Sequence, residues 1–93
     1  MSETLSKESS ARSGRIRIDD RPKHLATRLE RGEIAVINVA DLDRESAAAL
    51  VAAGPVAVLN AQPSLTGRAA ALGPRLILEA GIVLVDELGP DIM

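Results

Sequence analysis

Three short aliphatic runs constrain this chain more than any other feature: Ile34-Ala35-Val36-Ile37, Val56-Ala57-Val58-Leu59 and Ile82-Val83-Leu84-Val85. Each is short and bounded by turn residues, and none alternates with polar side chains. Each therefore reads as a strand covered on both faces. The segments between them have helical spacing and clear stops. Asp41 is placed to cap a helix whose first turn carries Asp43 and Glu45, where the helix dipole favours negative charge. Leu42, Ala49, Leu50 and Ala53 share one face of that helix, and Gly54-Pro55 ends it. Gly73-Pro74 opens a further helix with Leu76, Ile77 and Ala80 on its inner side and Gly81 as its stop.

Upstream, Arg15-Ile16-Arg17-Ile18-Asp19 alternates basic and apolar residues, the pattern of a half-buried edge strand. Outward arginines there discourage edge-to-edge pairing. Asp20-Arg21-Pro22 starts a short helix, Leu25 and Leu29 form its buried stripe, and Gly32 stops it. Strands alternating with helices imply a small α/β domain, a mostly parallel sheet with flanking helices and right-handed crossovers. Residues 15–93 form this domain. Residues 1–14 are Ser-rich with little apolar content, so they read as a disordered N-terminal tail.

The core available to such a sheet is thin. The 93 residues include no Phe, Tyr or Trp, and aromatic side chains bury about 150–250 Å² each in proteins that have them. There is no cysteine to form a disulfide. A domain this small is marginal on its own area, which predicts that it leans on another domain or a second copy of itself, a homo-oligomer. Absence of cysteine fits a reducing, cytoplasmic setting. No run of about 18 apolar residues is present, so no direct membrane insertion is expected. The net charge of −2 is uneven: eight basic and five acidic residues in 1–31 give +3, and three basic and eight acidic in 32–93 give −5. The basic half could meet an acidic or phosphate surface, or serve as a solvated face.

Chemistry is best accommodated in the loop Asn60-Ala61-Gln62-Pro63-Ser64-Leu65-Thr66-Gly67-Arg68. It leaves the carboxyl end of a buried strand, where open α/β sheets bind ligands. Asn60, Ser64, Thr66, Gly67 and Arg68 make a candidate anion- or interface-binding set: hydroxyls, a glycine that allows close backbone approach and a guanidinium that can fork onto an anion. The spaced glycines and Lys of a Walker loop are missing. The alternative is a turn whose hydroxyls cap the next helix. His24 is the only histidine and lies among Lys23, Arg28 and Arg31 on an expected helix surface, a poor zinc ligand by itself. Asp86, Glu87 and Asp91 could gather a magnesium ion, but their spacing matches no ion-loop pattern and a solvated strand exit is the simpler reading. No Ser-His-Asp or Cys-His set can be assembled. Catalytic residues, metal ligands and a cofactor are therefore expected to be absent from this chain. Basic residues without interleaved aromatics offer nucleic acid no stacking platform.

Taken in order, several motifs resemble one family. They are Gly14-Arg15-Ile16-Arg17-Ile18-Asp19, Gly32 to Ile37, Asp41-Leu42-Asp43, Asn60 to Arg68, Leu72-Gly73-Pro74 and Glu79-Ala80-Gly81-Ile82. The chain from about Gly14 onward is similar to the N-terminal region of SteA-like cytokinetic ring proteins of actinobacteria. The resemblance implies a longer protein, in which this region precedes a domain similar to thiamin pyrophosphokinase and then a membrane-associated region. It implies a role in cell division and cell separation at the septum, with a SteB-like membrane partner, a neighbouring kinase-like domain, and nucleotide bound by the full-length protein rather than by this chain. Val83 stands where the family has Pro, and Ala69 where it has an aromatic. On this reading the chain is a non-catalytic docking domain; alternatively it lends an anion-binding loop to a nucleotide-binding enzyme. The stretch Gly67 to Val85 is also similar to the swivelling phosphohistidine domain. The reactive His of that fold falls near Leu72 here, which excludes phosphoryl carrying.

Overall fold

The computed structural model describes residues 15–66 and 72–93; the expected tail and the Ala-rich turn at 67–71 lie outside the described residues. Strand β1 is Ile16–Ile18, helix α1 Pro22–Ala26, β2 Ile34–Ile37, α2 Arg44–Ala53, β3 Ala57–Asn60, α3 Gly73–Glu79 and β4 Val83–Val85, followed by a 3₁₀ turn at Pro90–Ile92. The four strands form one sheet in the order β1-β2-β3-β4, every pair parallel. Ile16 faces Ile34, Ile34 faces Ala57, and Ala57 faces Val83 across the ladder. The expected small α/β fold is the observed one.

Because each strand pairs with its successor, crossovers of one hand place all the helices on one side of the sheet. The packing shows this directly. Ala35, Ile37 and Val58 join Leu25, Leu29, Ala47, Leu50 and Ile77 from the helical layer in the main core. The alternate residues Ile34, Val36 and Ala57 form a second cluster with Ile16, Leu59 and Val83, and no residue of α1, α2 or α3 joins it. Among the described residues, Val56 just before β3 and Ile92 of the terminal turn pack against it from outside the strands.

Four sequence expectations change, the first being the end of α1, which falls at Thr27 and not at Gly32. Asp43, not Asp41, caps α2: its side chain accepts a hydrogen bond from the Ser46 amide at 2.8 Å. Asp41 sits upstream with a φ of +54° and turns its carboxylate to Thr66 instead. The third aliphatic run is not a covered strand. β4 lies at the sheet edge, half-buried at Val83 and Leu84 and exposed at Val85. On α2 the buried face carries Ser46, Ala47 and Leu50, with Ala49 only half-buried.

Candidate functional site

Two regions of the molecule hold enough side chains in defined geometry to carry function: the polar carboxyl edge of the sheet and its helix-free apolar face.

At the carboxyl edge, Asn60 ends β3 fully buried. Its Oδ1 accepts from the amides of Val39 (3.0 Å) and Gln62 (3.2 Å), and its Nδ2 donates to the Val39 carbonyl (2.8 Å) and to Ser64 Oγ (2.7 Å). Ser64, also fully buried, donates its hydroxyl to Asp86 Oδ1 (2.5 Å) and its amide to Asp86 Oδ2 (2.9 Å). Thr66 donates its amide and hydroxyl to Asp41 Oδ1, both at 2.8 Å. Backbone bonds from Asp41 N to the Pro63 carbonyl and from Leu42 N to the Ser64 carbonyl complete the tie. Of the loop residues singled out in the sequence, Asn60, Ser64 and Thr66 are thus brought together, while Gly67 and Arg68 lie outside the described residues.

The chemistry of this edge is that of a closed network. Amide and hydroxyl donors that an external anion would use point instead at two carboxylates of the chain itself, Asp41 and Asp86. Asp86 is thereby separated in role from Glu87 and Asp91. Among the described residues no three His, Cys, Asp or Glu side chains gather as a metal ligand set. The exposed polar pair left on the edge is Gln62, whose Nε2 donates to Asn38 Oδ1 at 2.6 Å.

A cluster that sequence reasoning missed lies at the end of β1. His24 Nδ1 contacts Asp19 Oδ2, and Arg28 Nη2 lies 3.5 Å from the same oxygen. The amide of Arg21 donates to Asp19 Oδ1 at 3.0 Å. That amide bond first, and the His24 contact second, hold the Asp19 carboxyl well below the usual carboxylate range. Arg28 also donates to the Ile18 carbonyl at 3.1 Å. These contacts fasten α1 to the strand before it. The available signal was the spacing of Asp19 and His24 across a strand–helix junction, with His24 one helical turn before Arg28.

The apolar face is open at its rim alone, since Ile34, Val36 and Ala57 at its centre are buried. Ile16, Ile18, Val36 and Leu59 floor a groove of about 490 Å³ whose wall is Leu88, Asp91 and Ile92. Ile18 remains 44% exposed and Leu88 39%. The wall exists because Glu87, at φ +54°, turns the chain after β4. Leu88 N then bonds the Asn60 carbonyl and Gly89 N the Ala61 carbonyl, each at 3.0 Å. The chain is thereby led across the end of β3, so that Ile92 reaches the helix-free face. Parallel sheets are ordinarily covered by helices on both faces; among the described residues one face has three helices and the other a single short turn. No family model, curated protein or solved structure matches the chain, so both regions are read from their own geometry.

Proposed function

We propose that this chain is a non-catalytic docking domain whose helix-free sheet face packs against a neighbouring domain of the same polypeptide. The observation that carries the reading is the apolar groove lined by Ile16, Ile18, Val36 and Leu59 on a sheet face that no described helix covers, with Ile18 and Leu88 exposed at its rim. The size of the face favours a tethered occupant. Strands of three or four residues at about 3.3 Å per residue and about 4.8 Å apart give a footprint of roughly 200 Å². A stable complex between free partners buries about 800 Å² on each side. A tethered neighbour needs less contact because linkage supplies a high effective concentration.

The resemblance to SteA-like cytokinetic ring proteins supplies the setting of the proposal: a kinase-like neighbour domain and a role in cell separation at the septum beside a SteB-like membrane partner. No helix among the described residues is long and apolar enough to cross a membrane, and in this proposal membrane attachment belongs to other parts of such a protein. A photo-reactive residue placed at Leu59 in the protein as its own gene produces it tests the docking. The expected product is a cross-link to the same polypeptide outside residues 1–93. Cross-linking only within 1–93, only to a second copy, or not at all would refute it.

A further inference from the structure

We draw no further inference here: the strongest candidate, the apolar groove on the helix-free face of the sheet, belongs to the site already described, and with Ile34, Val36 and Ala57 buried beneath it nothing in the structure shows what covers its exposed rim.

Discussion

Asn60 shows how one residue can organise an edge. A buried side-chain amide is tolerated only when its donors and acceptor are satisfied, and this one bonds Val39 twice, Gln62 and Ser64. Asn60→Ala leaves buried partners unpaired, at about 1–3 kcal/mol for each such group. Urea unfolding should show a loss of about 3 kcal/mol or more, against under about 1 kcal/mol for the exposed Thr66→Val. Equal losses would mean that Asn60 is not the hub. The carboxylates make a second prediction at this scale. Hydrogen bonds from Ser46 hold Asp43 below the usual carboxylate range, and the Glu30 amide, then Arg17, do so for Glu33. A depressed folded-state value contributes stability that is complete above the unfolded value, about 4, and is lost as pH falls through the folded value. Urea midpoints should therefore decline below about pH 5 and stay flat from pH 6 to 8, where these carboxylates are ionised in both states. Asp43→Asn keeps a capping side chain but not the titration. It should leave the neutral-pH midpoint nearly unchanged and flatten the acid slope; an unaltered slope would count against this assignment.

Among the elements, α3 depends on one close approach. A Cβ on Gly73 would lie 2.4 Å from the Leu42 carbonyl oxygen and 2.7 Å from that of Asp43. Both are backbone atoms, so the helix would have to move rather than a side chain swing away. The Gly73 amide already bonds the Leu42 carbonyl at 3.1 Å. Gly73→Ala should cost about 1–3 kcal/mol in urea unfolding, the range for overpacking, despite alanine's higher helix propensity. Stabilisation by the substitution would show that α3 is free to shift. The cap of α2 belongs to the same scale. Asp41 and Asp43 are equivalent candidates in sequence, two residues apart and both acidic. Only Asp43 has its side chain over the Ser46 amide, because Asp41 adopts a left-handed backbone and is held by the loop from β3.

For the whole molecule, a single helical layer on a parallel sheet leaves half of the usual covering undone. The aromatic-free core makes the second layer matter more, since little stabilisation is available elsewhere. Leu88, Asp91 and Ile92 line the helix-free side, where Ile34 and Val36 are buried and Ile18 stays exposed. The docking prediction belongs to this scale, because no single residue or element defines the groove.

Local pattern by itself determined the succession of strands and helices, the stops of α2 and α3 at Gly54 and Gly81, and hence the parallel α/β class, whereas α1 ends at Thr27, five residues before the expected Gly32. Each of those depends on neighbours a few residues away, and periodicity records them. The loop from Asn60 was legible as the place where polar groups collect, but not that Asp86, 22 residues beyond Ser64, takes its donors. Nor could the sequence say which side of the sheet would be covered. In a continuous run such as Ile34-Ala35-Val36-Ile37, every side chain is apolar, so alternation carries no sign of which face meets the helices. The order of the strands and the hand of their crossovers decide that, and both are properties of the packed chain. β4 became an edge strand for the same reason: its sequence matches that of a central strand, and only the sheet order leaves it with β3 on one side and no strand on the other.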